Sequence, residues 1–172
     1  MVQDSAGRSV KMVGISMDNT ARKTAEQALR ASEERFRAIF ELACGAMAYI
    51  GLDGRWLRVN AALCELLGYS TEELAALTFQ DLTHPDDLDA NLQQLQRLLA
   101  GEIAMYAVEK RFRRKGGSYF WANVRTSLQR NPQDGSPEHL ISVIDDISAS
   151  RAQLQALQER VAELEAQLHT PA

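Results

Sequence analysis

Leu140-Ile141-Ser142-Val143-Ile144, followed by Asp145-Asp146-Ile147-Ser148, is the stretch that decides how this chain is built. The apolar run predicts a strand over 138–145. The polar residues after it predict the start of a helix, because Asp and Ser side chains can cap free backbone N–H groups. One strand therefore leads directly into the C-terminal helix.

The C-terminal helix carries a heptad pattern. Val161 occupies an a position between two d-position leucines, which favours two parallel strands of coiled coil. A helix lying on its own domain is the alternative, although such a helix usually has a wider apolar stripe. Residues 147–170 are thus predicted to form a coiled-coil signalling helix that holds a homodimer together. Its seam follows alternating steps of three and four residues through Ile147, Ser150, Leu154, Leu157, Val161, Leu164 and Leu168.

A similar junction occurs near the N-terminus. Residues 14–29 aligned with 142–157 share five identities in sixteen positions, among them Asp18 with Asp146 and Leu29 with Leu157. The spacing is that of one small domain plus a helix. The predicted organisation is a remnant of a preceding copy (1–18), a linker helix (19–40), one core domain (41–146) and the coiled-coil helix (147–170).

Composition supports a single globular core. The 172 residues are 45% hydrophobic and 24% charged, enough for one core of roughly 100 residues with helical appendages. The net charge of −4 gives no basic footprint for nucleic acid. No apolar run has the length of a membrane span, and Cys44 and Cys64 make a poor disulfide framework. We therefore expect a cytoplasmic chain without membrane contact in this segment.

The core domain reads as two strands, several short helices and three longer strands. Asp53-Gly54 predicts a hairpin turn, Asn60 and Gly68 predict the two ends of a helix over 61–67, and His84-Pro85 predicts the entry to a longer helix. Strands are expected over 106–113, 118–130 and 138–145. This order predicts an α+β fold, an antiparallel sheet with helices on one face.

Six motifs in this order resemble those of a PAS domain with its C-terminal PAC portion. They are Ser32-Glu33-Glu34-Arg35-Phe36-Arg37, Asp53-Gly54-Arg55 with Val59-Asn60, Leu67-Gly68-Tyr69-Ser70, His84-Pro85-Asp86-Asp87, Glu109-Lys110-Arg111-Phe112 with Gly117-Ser118 and Trp121, and Asp146-Ile147-Ser148. The resemblance implies a five-stranded antiparallel sheet flanked by short helices and enclosing a small pocket. It also implies a sensory or dimerising module of a multi-domain bacterial signalling protein, possessing tandem copies of the domain.

The residues at the positions that matter disfavour the family's flavin and haem ligands. The flavin-binding branch needs a cysteine in the region 79–88, which has none, and amide side chains at positions occupied here by Phe112 and Ala122. Haem-binding members use a histidine on the long helix, but 86–100 contains no His, Cys or Met. His84, His139 and His169 show no metal-ligand spacing. No cofactor or metal is predicted.

A small metabolite in the pocket and an ordinary packed core both remain open. The candidate pocket residues come from the first short helix and its cap, from the long helix, and from the strands beside the glycine turn. They are Asn60, Cys64, Leu92, Leu95, Leu99, Phe112, Ala122 and Val124.

The two tryptophans are predicted to lie on the outer face of the sheet. If Ala122 lines the pocket, alternation points Trp121 away from it, and the same reasoning about Leu57 and Val59 places Trp56 outside. Exposed rings of this size would be covered by the linker helix or by a partner subunit. The alternative is that a register shift places them in the core. The predicted dimer interface comprises Trp56, Trp121, Leu154, Leu157, Val161, Leu164 and Leu168.

No pattern indicates catalysis, since the acidic residues fall at helix starts and on helix surfaces. The predicted function is that of a sensory and dimerising module that signals through its C-terminal helix. The output domain would follow in cis and would be a histidine kinase or a diguanylate cyclase. Asp146 and Ser148 form the predicted signal junction, because they tie strand 138–145 to the helix. The alternative is a ligand-free dimerising spacer in a tandem array.

Overall fold

The structure is a computed structural model that describes residues 2–3, 9–10, 20–43 and 45–168. The chain divides into two compact units, Met1–Ala38 and Ile39–Ala172. In the first unit β1 (Val2–Gln3) pairs antiparallel with β2 (Ser9–Val10), and α1 (Thr20–Leu42) begins there. The predicted repeat remnant, including Asp18, lies mostly outside the described residues and stays a prediction, as do the domain boundaries.

The second unit contains a five-stranded antiparallel sheet. Its strands lie in the order β4-β3-β7-β6-β5, so the last strand in sequence is the central one. The predicted α+β architecture is therefore confirmed. The strands are β3 (Ala46–Ile50), β4 (Trp56–Val59), β5 (Met105–Arg113), β6 (Tyr119–Arg130) and β7 (Pro137–Asp146).

Four helices connect β4 to β5 and cover one face of the sheet, and a fifth leaves the domain. They are α2 (Ala61–Leu67), α3 (Thr71–Ala75), α4 (Phe79–Leu82), α5 (Pro85–Leu99) and α6 (Ser148–Leu168). Gly68 ends α2 with a left-handed φ of 79°, the conformation in which glycine costs least. α4 adds to the predicted elements, and its capping box of Thr78 and Asp81 is the signal that would have predicted it.

The core lies between these helices and the inner face of the sheet. On β6 the residues Phe120, Ala122, Val124 and Thr126 are all buried, while Trp121 between them is half-buried on the other face. The predicted alternation of this strand is thus confirmed. Helix residues such as Leu63, Leu82 and Leu98 pack against that inner face, and each fully buried side chain of this size contributes about 1.5–3 kcal/mol.

The predicted outer position of Trp56 is wrong. The register of β3 and β4 shifts after Tyr49, which pairs with Arg58, so that Ile50 pairs with Trp56 and Leu57 is the extra residue. A bulge of this kind breaks the strict alternation of a strand. Trp56 is therefore 4% exposed in the core, whereas Leu57 is 61% exposed. A ring buried in one subunit cannot serve as the dimer contact predicted for it.

Asn60 holds the start of the domain together. Its Oδ1 accepts hydrogen bonds from the backbone N–H groups of Met47 (2.9 Å) and Leu63 (3.1 Å). Its Nδ2 donates to the carbonyl oxygens of Phe40 (3.1 Å) and Gly45 (2.9 Å). The amide joins the end of α1, the start of β3 and the start of α2, so every polar atom of this buried side chain serves the fold.

Asn60→Ala should therefore be strongly destabilising. Four backbone groups, all of them buried or half-buried, would each lose a hydrogen bond, and we expect the free energy of unfolding to fall by roughly 3 kcal/mol or more. Urea unfolding followed by circular dichroism measures the change. Ser70→Ala is the matched control, because it removes one exposed cap worth about 1 kcal/mol. Equal losses in the two variants would contradict the central role of Asn60.

Candidate functional site

A small cavity lies between the helices and the inner face of the sheet. Its volume of about 10 Å³ is close to the room that one water molecule needs. One half of its lining is apolar: Ile50, Phe79, Phe112, Val124, Leu140 and Ile144. The other half carries polar atoms: Trp56, Asn91, Tyr106, Lys110, Thr126 and Ser142.

The structure brings only two of the predicted pocket residues, Phe112 and Val124, to this cavity. Ala122 and Leu95 are buried in the packed core beside it, and Leu92 and Leu99 are half-buried. For the three α5 residues the reason is the rotation of that helix, whose buried face runs through Asn91, Leu95 and Leu98. Neither of the two remaining candidates lines the cavity: Asn60 is occupied by backbone hydrogen bonds, and Cys64 approaches Thr71 Oγ1 at 3.6 Å beside a shallow surface groove.

Lys110 is the most unusual residue of the cavity. It is 2% exposed, and its ammonium group donates to Thr83 Oγ1 at 3.1 Å. It also lies over the rings of Phe112 (4.3 Å to the centroid) and Phe79 (4.9 Å). Burial lowers the pKa of Lys110 from its ordinary value of 10.5 to about 7, although the charge of Asp87 opposes this shift. No carboxylate of the described residues forms a salt bridge with it.

An ion pair fixes the long helix to the sheet next to Lys110. The guanidinium of Arg111 donates to both carboxylate oxygens of Asp87, at 2.9 and 2.8 Å, and the Arg111 backbone N–H donates to the same group at 2.8 Å. These hydrogen bonds hold the pKa of Asp87 below its usual range and raise that of Arg111. His84 Nδ1 accepts from the Asp86 N–H at 3.2 Å, so His84 caps the helix.

Several buried polar atoms of the cavity have no partner among the described residues. These are Trp56 Nε1 and both amide atoms of Asn91. By contrast, the hydroxyls of Thr126 and Ser142 pair with each other at 2.9 Å, and Tyr106 interacts with Thr126. Burying a polar group without a hydrogen bond is costly. The unpaired atoms therefore mark a place where a polar guest would be stabilised.

Lys110 and Asn91 were absent from the predicted pocket, yet the sequence carries a signal for both. Lys110 precedes the inward-facing Phe112 by two positions on β5, so alternation points it to the same side. Asn91 precedes Leu95 by one helical turn and shares its face. A polar residue at an inward position is the informative exception in a core, and that rule would have found both.

The strand-to-helix junction is held by four contacts. Asp146 Oδ1 accepts from the Ser148 N–H at 2.9 Å, and Asp146 Oδ2 forms an ion pair with Arg114 at 2.8 Å. Ser148 Oγ accepts from the Trp121 N–H at 3.0 Å, and the Ile147 N–H donates to the Trp121 carbonyl at 2.9 Å. The first turn of α6 is thus attached to β6 as well as to β7.

Trp121 has a cover within its own subunit. The guanidinium groups of Arg151 and Arg111 lie 4.1 and 5.3 Å from the centroid of its ring, and Arg151 also forms an ion pair with Glu109. Such cation–π contacts stabilise by about 0.5–1 kcal/mol at exposed sites. A further cover by α1 or by a partner subunit stays a prediction.

The rest of α6 projects an apolar seam into solvent. Leu154, Leu157, Val161 and Leu164 are 45–62% exposed. The side chain of Leu168, the last predicted seam residue, lies outside the described part of the chain. Leucines at this spacing are rarely left in water, so the seam is a candidate contact surface.

The described ranges offer neither a metal site nor a membrane-spanning helix. They contain no group of three or more His, Cys, Asp or Glu residues arranged to hold a metal ion. His139 instead packs against Tyr49, and His169 lies outside the described residues. Among the described helices, none has both the length and the apolar character needed to cross a membrane.

Comparison with known proteins identifies similar chains. A family model described as the PAS fold matches residues 57–144. The probable diguanylate cyclase DgcE of Escherichia coli is 47% identical over 117 residues, covering 68% of this chain. The sensor histidine kinase TmoS of Ectopseudomonas mendocina is 34% identical over 137 residues, covering 80% of this chain. The chain spans only 10% and 14% of the lengths of these two relatives.

A solved structure shares the fold. The crystal structure of the PAS domain of a protein from Colwellia psychrerythraea superposes with a TM-score of 0.62 at 18% identity, covering 69% of this chain and 98% of that one. At this identity the likeness concerns the fold alone.

The buried lysine predicts an unusual dependence of stability on pH. Between pH 7 and 10.5 the unfolded chain keeps a proton on Lys110 that the folded chain releases, so stability increases with pH over this window. The expected slope is about 1.4 kcal/mol per pH unit, and below pH 7 the contribution is constant. Lys110→Met should remove this slope.

Urea unfolding of the wild type and of Lys110→Met at several pH values between 7 and 9.5 measures the difference, in which other titrating groups cancel. Lys115→Met is the control, because Lys115 is half-exposed beside Glu73 and its removal should leave the slope in place. Parallel pH profiles for the wild type and Lys110→Met would show that the buried amine keeps its ordinary pKa.

Proposed function

The chain belongs to the PAS fold family, and we propose that it is a sensory and dimerising module that passes a signal through α6 to an output domain in cis. The matched segment is a non-catalytic sensory module, so catalysis belongs to other parts of a parent protein. The signal would arise in the cavity and leave through the C-terminal helix.

The observation that carries this proposal is the position of β7. Its residues Ser142 and Ile144 line the cavity, and four residues after Ile144 the same strand has become α6, with Asp146 and Ser148 at the turn. A change at the cavity wall would therefore move the helix start without any intervening loop. Such a change is a shift between two arrangements, and a ligand biases it by its differential affinity for the two.

Dimerisation is supported by the seam of α6. A parallel pair would bury Leu154, Leu157, Val161 and Leu164, all of which are exposed in the single chain. A rotation or register shift of such a pair would be the output signal, because the seam has discrete packing registers. The half-exposed Trp121 adds a second proposed contact on the outer face of the sheet.

The class of output domain is proposed from the relatives. One is described as a probable diguanylate cyclase and another as a sensor histidine kinase, so either enzyme class is a proposed partner in cis. We further propose a cytoplasmic location for this module and no direct contact with nucleic acid, in keeping with its net charge of −4.

A second candidate function is a ligand-free dimerising spacer. The small volume of the cavity favours it, since about 10 Å³ is far below the 300 Å³ or more typical of ligand sites. The two candidates share the dimer and differ in whether the cavity takes a guest.

The dimer is tested with charges placed on the seam. Leu157→Glu combined with Leu164→Glu should convert the dimer to monomer in sedimentation equilibrium, because paired carboxylates at d positions repel and lose apolar burial. Ala152→Glu combined with Ala162→Glu adds the same charge off the seam and should leave the dimer intact. A wild-type chain that stays monomeric at high concentration would refute the dimer.

The junction is tested by hydrogen exchange. Asp146→Ala removes the acceptor of the Ser148 N–H and the partner of Arg114, so amides in the first turn of α6 should exchange about fivefold faster, as expected for a cap worth about 1 kcal/mol. Asp145→Ala is the matched control: it also removes a carboxylate, one paired with Arg125 at 3.0 Å and bonded to none of the described side chains of α6. Equal exchange in the two variants would argue against the junction.

A further inference from the structure

We propose that the cavity binds a small carboxylate, whose oxygens are held by Lys110, Asn91 and Trp56. This inference rests on the proposed sensory function and specifies its ligand class. Under this proposal the cavity is not ligand-free but holds a molecule between formate and propionate in size.

The first argument is the balance of donors and acceptors. Trp56 Nε1 and Asn91 Nδ2 are buried donors without partners in the described part of the chain. Lys110 donates to Thr83 Oγ1 and, when protonated, retains further N–H groups. The only unpaired acceptor at the cavity is Asn91 Oδ1, as far as the described residues extend. An ionised carboxylate is acceptor-only, so it complements this excess of donors.

The second argument is charge. Lys110 forms no salt bridge within the described ranges. Asp87 is the carboxylate whose charge acts on the pKa of Lys110, but Asp87 already accepts two hydrogen bonds from the Arg111 side chain. Desolvation therefore disfavours its ammonium form. A carboxylate beside it would supply the missing counter-charge, and hydrogen bonds to charged groups are about twice as strong as neutral ones. Binding and protonation of Lys110 should consequently be linked.

The third argument is size and surroundings. The cavity has room for about one water, so a guest of three to five heavy atoms requires its walls to move outward. Six of its twelve lining residues are apolar and suit a short alkyl chain. The ring centroid of Phe112 lies 6.5 Å from that of Trp56 and 4.3 Å from Lys110 Nζ. The Phe112 ring would therefore contact the guest.

The consequence for signalling follows from the neighbours of Lys110. The ammonium group donates to Thr83, which lies between α4 and α5, and Ser142 of β7 lines the same cavity. A guest that draws Lys110 inward would act on the helical cover and on the central strand together. Because β7 also lines the cavity, such a movement would reach the strand that continues into α6.

The experiment titrates the full chain with sodium formate, acetate and propionate, using acetamide as the neutral isostere of acetate. The protein has two tryptophans, so the ¹H–¹⁵N spectrum shows two indole signals, and Trp121→Phe assigns them. The Trp56 signal should move with acetate, while acetamide should bind at least about tenfold more weakly, the difference expected of hydrogen bonds to a charged group. Titration calorimetry at pH 8 in two buffers should show proton uptake on binding.

Variants separate the roles of the residues. Lys110→Met and Asn91→Leu should each weaken acetate binding about tenfold or more without lowering stability, because each replaces a poorly paired polar group with an apolar one. Lys115→Met should bind acetate like the wild type. If Lys110→Met binds acetate normally, or if acetamide equals acetate, the carboxylate assignment is wrong.

Failure here is distinguishable from failure of the sensory function. A chain that dimerises through α6 and keeps the Asp146 junction, but whose Trp56 signal is unmoved by every acid, would overturn this inference and leave the dimerising module standing. A chain that binds acetate yet remains monomeric would support the inference and overturn the proposed route to the output.

Discussion

The antiparallel pairing of β7 with both β3 and β6 is the constraint on which the rest of the structure depends. β7 is the last strand in the chain but the central strand of the sheet, so the domain is complete only when its C-terminal segment inserts between strands from the two ends of the core. Its ladder with β6 runs from Arg130 with Pro137 to Ala122 with Asp146. This long-range pairing therefore closes the core. It also aligns Thr126 with Ser142 at the cavity and positions Asp146 at the start of α6.

The cavity shows a compromise between packing and polarity. A core made only of apolar residues would be more stable than one containing Lys110 and Asn91, because buried polar groups without full hydrogen bonding cost free energy. The Arg111–Asp87 pair offsets part of that cost by binding α5 to β5 beside the lysine. Natural sequences break local rules mainly where function requires it. The unpaired donors line the same cavity as β7, the strand that leaves the domain, which accords with the proposed sensing role.

The sequence was sufficient for the fold wherever its periodicity was regular. The alternation on β6 and the caps of α2 gave the right elements with ends correct to one or two residues. The predicted outer position of Trp56 failed because a bulge inserts Leu57 into β4. In a strand of only four residues, the sequence pattern does not reveal such a bulge. Prediction failed for Leu92, Leu95 and Leu99 because the apolar pattern of α5 does not reveal the rotation of that helix, which depends on tertiary packing. The polar lining could be predicted only from polar residues at inward-facing positions, which are exceptions to the apolar pattern of a core.

The energetics of the junction explain how a weak event in the cavity could reach α6. The ion pairs of Arg114 with Asp146 and of Arg151 with Glu109 involve partly exposed side chains, so each contributes about 0–1 kcal/mol. The cap by Asp146 adds about 1 kcal/mol. The sum is only a few kcal/mol, comparable with the differential affinity that a small ligand can supply. A stronger attachment would lock α6 to the sheet, and a weaker one would uncouple it. Under the proposed function, contacts of intermediate strength would let the helix change its arrangement with the state of β7.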